Sequence, residues 1–342
     1  MRRAVLDLAS PRAAWRPPPD AVTAIHASFG PGWDVVEVRA PAESDGDGGA
    51  GSAEAAVAAR GAEVYVGWGI PAGVADAARG TLEWAHTAAA GVGGSITPAF
   101  RATGATLTNS ASVYAEPIAD WVLAALGFCL RGFHRAVAAS REPRWAKGAF
   151  TDRRGVVREL AGTRVGIVGL GGIGRAVARR CAALHMEVRG IRRRPGVRRP
   201  RGVRWVGGSG DLERLAAESD VLVIAAASTR ATRGLVDRAA LAALPDGAYV
   251  LNVARGALLD EAALLDQLDA GRLGGAVLDV FAAEPLPPGH RFWTHPRVFV
   301  TPHVAGVSDR FWEREVALLA ENVERYRRGR RLKNIVDLDA GY

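Results

Sequence analysis

Apolar and polar positions alternate along the first third of the chain in a pattern typical of a layered α/β protein. Four short apolar runs predict β-strands at residues 4–8, 33–38, 64–66 and 82–87, and segments of helical composition lie between them at 20–28, 53–59 and 72–78. Strands that alternate with helices favour a parallel sheet, because each crossover returns the chain to the same edge. This part of the sequence therefore predicts one parallel α/β layer.

The second part of the chain repeats this alternation after a longer helical pattern at residues 114–137. Six strands are predicted at 164–168, 187–191, 221–226, 249–253, 276–280 and 298–301, with helices at 173–184, 212–217, 238–244 and 261–270. Six strands joined by crossover helices predict a doubly wound sheet. We expect a last helix at 310–327 to pack on the first layer, and the Gly/Asp/Ser-rich residues 43–52 to form a surface loop.

Composition and charge fit a soluble protein of two domains. The chain has 342 residues, of which 49% are hydrophobic, and a formal net charge of +8. Thirteen basic residues lie in two segments, 191–205 and 325–333, and they exceed the whole net charge. The rest of the chain is therefore mildly acidic, which argues against a nucleic-acid-binding protein.

The cysteines and the apolar runs exclude other classes. Cys129 and Cys181 lack CxxC spacing and a nearby run of histidines, so they predict neither a disulfide framework nor a metal site. The apolar stretch at the N-terminus is interrupted by Asp7, and the longest uncharged apolar run, 121–130, is too short to span a bilayer. We expect a cytoplasmic protein with no membrane partner.

A glycine-rich loop follows the first strand of the second part. Gly169, Gly171 and Gly174 form a GxGxxG pattern between a predicted strand and a predicted helix. The first glycine permits a tight turn, the second lets the backbone approach a pyrophosphate, and the third allows close packing of helix on strand. The positive end of the helix attracts the phosphate charge, so the pattern predicts a dinucleotide-binding site.

The next strand ends in arginines where an NAD site would present an acid. About 20 residues beyond the glycines, Asp or Glu normally binds the ribose 2′-hydroxyl, but this chain has Arg192, Arg193 and Arg194. Guanidinium groups pair with a 2′-phosphate, and the one nearby acid, Glu187, falls at the start of the strand. We therefore expect NADP(H) to be favoured over NAD(H).

Longer motifs carry a family resemblance between residues 107 and 306. They are TNS at 108–110, AEPIAD at 115–120, ELAG at 159–162, TRGLV at 232–236, NVARG at 252–256, GAVLDVF at 275–281, EPL at 284–286 and TPH at 301–303. In these motifs the chain resembles the D-isomer-specific 2-hydroxyacid dehydrogenases, a family of NAD(P)-dependent oxidoreductases. Its arginines at the ribose position are similar to those of the NADPH-preferring glyoxylate and hydroxypyruvate reductases.

The resemblance implies a domain arrangement and a homodimer. It implies a Rossmann coenzyme domain at residues 110–304, inserted in a flavodoxin-like substrate domain made of 1–109 and 305–342. The site would lie in the cleft between the two domains. The homodimer would form through the coenzyme domain, with the helix at 114–137 contributing.

Three residues look like the family's catalytic set. Arg255, Glu284 and His303 each follow a predicted strand, and the carboxyl ends of parallel strands build the site of a doubly wound sheet. Hydride transfer to or from C2 of the substrate needs a group that can exchange a proton near neutral pH, and histidine suits this task. A carboxylate from Glu284 would stabilise the imidazolium of His303, and Arg255 would bind the C2 oxygen and the substrate carboxylate.

The resemblance also implies residues that contact cofactor and substrate. The cofactor set adds Ile173, Thr232, Val253 and Asp279 to the glycines and arginines, and a purely structural role of Asp279 at its strand end is an alternative. The substrate carboxylate would be held by backbone amides of Ala90 and Gly91, with Trp68 and Gly69 as further candidates. The family often has a proline in the loop after the fourth strand, whereas this chain has alanines at 225–227.

Together these features predict an NADP(H)-dependent 2-oxoacid reductase or D-2-hydroxyacid dehydrogenase. A scaffold that senses NAD(P)(H) and acts through protein partners, like the corepressor relatives of the family, is the alternative. The two differ in one test, because a binding role should survive loss of the His303 imidazole and turnover should not.

Overall fold

The chain folds into two compact units, seen in a computed structural model that describes residues 1–41, 51–142, 145–152 and 155–342. Met1–Tyr114 and Val307–Tyr342 form the split unit, and Ala115–Gly306 forms the inserted unit. The observed boundaries fall five and two residues after the predicted ones at 109/110 and 304/305. Residues 43–50 of the predicted surface loop lie outside the described part of the chain.

Twelve strands and twelve α-helices are present in the described residues. The strands are β1 (Arg2–Asp7), β2 (Trp33–Glu37), β3 (Val64–Gly67), β4 (Trp84–Thr87), β5 (Thr106–Asn109), β6 (Arg164–Val168), β7 (Glu187–Ile191), β8 (Val203–Gly207), β9 (Val221–Ile224), β10 (Tyr249–Asn252), β11 (Gly275–Leu278) and β12 (Val298–Val300). The helices are α1 (Pro19–Phe29), α2 (Ala53–Ala58), α3 (Ala72–Ala77), α4 (Pro98–Arg101), α5 (Ala115–Leu130), α6 (Phe133–Arg141), α7 (Gly148–Thr151), α8 (Gly172–Ala183), α9 (Leu212–Ala217), α10 (Arg238–Ala243), α11 (Glu261–Asp269) and α12 (Phe311–Arg327).

The split unit is a five-stranded parallel sheet in the order β2-β1-β3-β4-β5. Side chains of β1 alternate between its two faces: Ala4 and Leu6 join the core beneath α1 and α12, and Val5 joins the core beneath α2 and α3. The order is the flavodoxin-like one, which confirms the predicted layer and the packing of the last helix. The edge strand β5 was not predicted from the sequence.

The inserted unit is a seven-stranded parallel sheet in the order β12-β11-β10-β9-β6-β7-β8. Starting from β6, this is the Rossmann order with one strand added beyond β11. The predicted doubly wound sheet is therefore confirmed, but the count of six strands was wrong. The strand not predicted, β8, begins inside the arginine-rich segment, where Val203 and Gly207 are buried and Arg204 is exposed.

The prediction of one helix at 114–137 was also wrong in one respect, because this segment forms two helices. α5 ends at Leu130, α6 starts at Phe133, and the two axes bend by 67°. Gly132, between them, has a φ of +70°, a left-handed conformation that glycine adopts without a steric cost. Among the described residues no single helix is long and apolar enough to cross a membrane, although this bent pair satisfies the length and composition test together.

Candidate active site

The glycine loop between β6 and α8 has the geometry that its sequence predicted. Gly169 has a φ of +102°, and a Cβ built there would lie 2.5 Å from the Cα of Ala226. A Cβ on Gly174 would lie 2.0 Å from the carbonyl oxygen of Gly169, so only glycine lets α8 pack this closely on β6.

The mouth of the same loop is open. Apart from its chain neighbours and the backbone of α8, no atom of the described residues comes within 4 Å of a Cβ built on Gly171, and helix α8 starts at the next residue. Glycine at the N-cap has no side chain that could occupy the amides of the first turn. These amides and the helix dipole suit a pyrophosphate, so the loop fits a dinucleotide cofactor.

The three arginines after β7 differ in their surroundings. Arg192 is partly buried, and its guanidinium donates to the carbonyl oxygen of Arg198 at 3.2 Å and to those of Pro195 and Val197. It therefore holds the β7–β8 loop, whereas Arg193 and Arg194 are exposed. The sequence did not distinguish the three.

Three further predicted cofactor residues follow the carboxyl ends of strands β6, β9 and β10. The hydroxyl of Thr232 donates to the carbonyl oxygen of Ala227 at 2.7 Å and accepts from the amide of Thr229 at 2.8 Å, so it orders the loop after β9. Val253 follows β10 directly and is 5% exposed. Ile173, in the first turn of α8, is partly exposed.

Arg255, Glu284 and His303 follow three neighbouring strands, β10, β11 and β12, which pair in parallel. Nδ1 of His303 lies 2.7 Å from Oε2 of Glu284, and the two side chains are 46% and 32% exposed. The other oxygen of Glu284, Oε1, accepts from the amide of Phe281 at 2.8 Å. Burial raises the pKa of Glu284, but the hydrogen bonds from His303 and Phe281 and the charge of Arg255 outweigh it, so the pKa falls below its ordinary value.

Arg255 is tied to the Glu284 loop through its neighbour Gly256. A Cβ on Gly256 would lie 1.9 Å from the backbone carbon of Phe281, so the two segments touch through their main chains. Nη1 of Arg255 donates to the carbonyl oxygen of Ala254 at 2.7 Å, and the residue as a whole is partly exposed. The glycine of the NVARG motif thus brings the arginine and the glutamate segments together.

Asp279, at the end of β11, holds the loop that carries His303. Its side chain is 2% exposed, Oδ1 accepts from the amide of Val304 and Oδ2 from that of Ala305, both at 2.9 Å. The hydroxyl of Thr301 also donates to Oδ1. Burial raises the pKa of Asp279 even though these donors favour its charged form. These contacts support the structural role that the sequence left as an alternative.

The predicted substrate loops lie in the split unit, after β3 and β4. The Trp68 side chain is 6% exposed, donates from Nε1 to the carbonyl oxygen of Leu8 at 3.1 Å and stacks on Phe311. Its ring is therefore part of the core, and Gly69 beside it is also buried. Ala90 and Gly91 are partly exposed, and their contact with a substrate carboxylate stays a prediction.

The two cysteines are core residues. Cys129 and Cys181 are each 1% exposed, and burial raises the pKa of each thiol to about 12. Neither can supply a thiolate near neutral pH. In the described part of the chain, no group of three His, Cys, Asp or Glu side chains is placed to hold a metal ion.

One functional candidate was missed by the sequence. Glu261, in the first turn of α11, accepts from the amide of Ala282 at 2.7 Å and so contacts the loop that carries Glu284. An acidic residue is common in the first turn of a helix, so the sequence did not indicate that Glu261 contacts a residue 21 positions away.

Comparisons with known proteins agree with this geometry. Residues 123–305 match the family model described as D-isomer specific 2-hydroxyacid dehydrogenase, NAD binding domain. A glyoxylate/hydroxypyruvate reductase A of Yersinia enterocolitica is 37% identical over 180 residues, which are 52% of this chain and 56% of that protein. The chain thus matches little more than half the length of this curated relative.

Two solved structures cover the chain almost completely. A D-isomer specific 2-hydroxyacid dehydrogenase from Xanthobacter autotrophicus Py2, in complex with NADPH and MES, is 30% identical with a TM-score of 0.81 and covers 99% of both chains. An NADPH-dependent glyoxylate/hydroxypyruvate reductase from Sinorhizobium meliloti, in complex with NADP and sulfate, is 28% identical with a TM-score of 0.78 and covers 100% of both. With the family model matching more than half of its residues, this chain belongs to the D-isomer specific 2-hydroxyacid dehydrogenase family.

Proposed function

We propose that this protein is an NADP(H)-dependent reductase of small 2-oxoacids, which works in reverse as a D-2-hydroxyacid dehydrogenase. The observation that carries the proposal is the 2.7 Å contact between His303 and Glu284, at the sheet edge that also presents Arg255 and the glycine loop. When bound, the nicotinamide cofactor supplies or accepts the hydride at C2.

The proton in this proposal moves through His303. Its Nδ1 faces Glu284, so Nε2 is the nitrogen that delivers a proton to the C2 oxygen as the carbonyl is reduced. The C2–O double bond becomes a single bond, C2 gains the hydride, and the oxygen gains the histidine proton. The Glu284 carboxylate stabilises the imidazolium before transfer, and in the oxidation direction the neutral ring takes the proton back.

Arg255 is proposed to hold the substrate. A guanidinium can donate two parallel hydrogen bonds to a carboxylate, or one to it and one to the C2 oxygen. The second arrangement places a positive charge where negative charge develops during hydride addition. The remaining substrate contacts in this proposal are the backbone amides of Ala90 and Gly91, with Trp68 and Gly69, on the loop after the neighbouring strand β3, as further candidates.

The preference for NADP(H) is proposed from the exposed arginines after β7. Arg193 and Arg194 are exposed at the end of the strand where an acid would select the ribose 2′-hydroxyl of NAD. Two structural relatives that cover almost the whole chain are complexes with NADPH and NADP. The 2′-phosphate of NADP is an anionic partner for these guanidinium groups, whereas the 2′-hydroxyl of NAD carries no charge.

We also propose a homodimer formed through the inserted unit, in the cytoplasm. Three apolar side chains in and near α6 support the interface: Phe133, Val137 and Trp145 are 58%, 44% and 92% exposed. Exposed apolar side chains that cluster in one segment are typical of a buried contact in the assembly. Light scattering coupled to size exclusion tests the dimer directly.

A substrate panel tests the proposed activity. Glyoxylate, hydroxypyruvate, phenylpyruvate and branched-chain 2-oxoacids are assayed with NADPH and with NADH, following nicotinamide absorbance. The proposal expects turnover of at least one 2-oxoacid, with a higher kcat/KM for NADPH. It fails if no 2-oxoacid is reduced with either cofactor.

A further inference from the structure

Glu261 contacts the active-site loop although it belongs to a helix outside the three-residue set. Its side chain is 16% exposed, and Oε1 accepts from the amide of Ala282 at 2.7 Å. Ala282 lies two residues before Glu284, within the turn that connects β11 to the site. The glutamate thus ties the first turn of α11 to this turn.

The neighbouring amide of the same turn is held by Glu284 itself. Phe281 donates to Oε1 of Glu284 at 2.8 Å, which leaves Oε2 for Nδ1 of His303 at 2.7 Å. The direction of the Glu284 carboxylate depends on where the Phe281 amide lies. That amide is one peptide away from the amide that Glu261 binds, so a continuous set of contacts leads from Glu261 to His303.

We propose that Glu261 is a positioning residue of the acid/base pair, and that its hydrogen bond to Ala282 fixes the turn that aims Glu284 at His303. The inference rests on the proposed acid/base role of His303. It assigns Glu261 no contact with substrate or cofactor.

The groups around Glu261 indicate that its oxygen matters more than its charge. Its second oxygen lies 4.0 Å from Nε2 of His290, and the charge of Glu284 opposes its own. Burial and Glu284 raise the pKa of Glu261 more than the Ala282 amide and His290 lower it. Asp279 and Arg255 also act on the Glu284–His303 pair through their charges. A neutral side chain that keeps an acceptor oxygen should therefore be able to substitute for Glu261 without loss of kcat.

Three variants separate the hydrogen bond from the charge and from helix stability. Glu261→Gln keeps an acceptor for Ala282, Glu261→Ala removes it, and Asp260→Ala removes the N-cap of the same helix, whose Oδ1 accepts from Ala263 at 2.8 Å. We expect Glu261→Ala to lower kcat about tenfold because a displaced turn misaligns Glu284, with KM for NADPH within about twofold. The falling limb of the reductase pH profile should move to lower pH, and Glu261→Gln should restore both kcat and the profile.

A double-mutant cycle tests whether Glu261 acts through Glu284. If it does, Glu261→Ala causes no further loss of kcat in a Glu284→Gln background. The inference is overturned by an equal loss in both backgrounds, by a wild-type profile in Glu261→Ala, by failure of Gln to rescue, or by the same pH shift in Asp260→Ala. Failure of the proposed function gives a different result: either the wild-type protein reduces no 2-oxoacid, or His303→Ala reduces it at the wild-type rate, whatever Glu261→Ala does.

Discussion

His303 directs Nδ1 at Oε2 of Glu284 across 2.7 Å, and about half of its side chain stays exposed. The contact fixes which ring nitrogen faces the carboxylate and leaves Nε2 for a reacting oxygen. Because the carboxylate favours the charged imidazolium, the pair can store a proton for reduction and release it at the C2 oxygen.

Glu284→Gln should weaken reduction and change its pH dependence. The Glu284 carboxylate stays charged at lower pH than an ordinary glutamate does, because the hydrogen bonds from His303 and Phe281 lower its pKa despite burial. Without that charge the protonated form of His303 loses its anionic partner, so the pH profile of reduction should differ from that of the wild type. Loss of a charge-assisted hydrogen bond costs about 1.5–3 kcal/mol, so we expect kcat at neutral pH to fall roughly 10- to 100-fold.

The Glu284→Gln measurement is a pH profile of kcat/KM for the 2-oxoacid, with the NADPH dissociation constant as control. The dissociation constant should stay within about twofold, since the coupling concerns proton transfer and not cofactor binding. An unchanged pH midpoint in this variant would show that Glu284 does not act on the proton donor.

Asp279→Asn should loosen the loop that carries His303. Both carboxylate oxygens accept from loop amides, and an asparagine must turn an NH₂ group towards one of them. One buried N–H then loses its partner, which costs about 1–3 kcal/mol of stability. Urea unfolding should show this loss, together with a lower kcat.

Asp237→Asn provides a matched control in the same unit. Asp237 caps α10 by accepting from the amide of Ala240, and asparagine is an equally good N-cap. Stability and kcat should both stay close to wild type. Equal effects of Asp279→Asn and Asp237→Asn would refute a specific role of Asp279 in the His303 loop.

Arg194→Asp should reverse the cofactor preference, and Arg193→Asp should act in the same direction. Each variant removes a possible partner of the 2′-phosphate and adds a repelling charge, so KM for NADPH should rise roughly 10- to 100-fold, the worth of a charge-assisted hydrogen bond. KM for NADH should be unchanged or lower.

Arg201→Asp, on an exposed residue of the β7–β8 segment, makes the same charge change away from the strand end. It should leave both Michaelis constants within about twofold, because water and salt screen the interaction between exposed charges that lie farther apart than a Debye length. If Arg201→Asp raises KM for NADPH as much as Arg194→Asp does, the effect is one of net charge and the 2′-phosphate assignment is wrong.

Local patterns predicted the elements that shape the site. The GxGxxG turn and the ends of β10, β11 and β12 follow from short motifs next to apolar runs, whereas the His303–Glu284 pair was implied by the family resemblance. When residues that contact one another in the fold are also close in sequence, a short motif determines their geometry. For this reason the loop at Gly169 and Gly174 was predicted in detail.

Longer-range arrangements were not predictable in this way. The break after Leu130 depends on Gly132 in a left-handed conformation, and apolar periodicity continues across it. Arg192 differs from Arg194 only because the β7–β8 loop folds back over its guanidinium. The contact of Glu261 with Ala282 joins segments that meet only when β10 and β11 pair.

The most direct test of the central claim is a single-turnover measurement of 2-oxoacid reduction by His303→Ala with saturating NADPH. General acid catalysis contributes about 10²- to 10⁴-fold, so we predict a rate loss of that size. The NADPH dissociation constant, measured by nicotinamide fluorescence on the same sample, should stay within about twofold, because a proton donor at the C2 oxygen does not hold the cofactor. A variant that binds NADPH and reduces the 2-oxoacid at the wild-type rate would contradict the account, because His303 would then not be the proton donor.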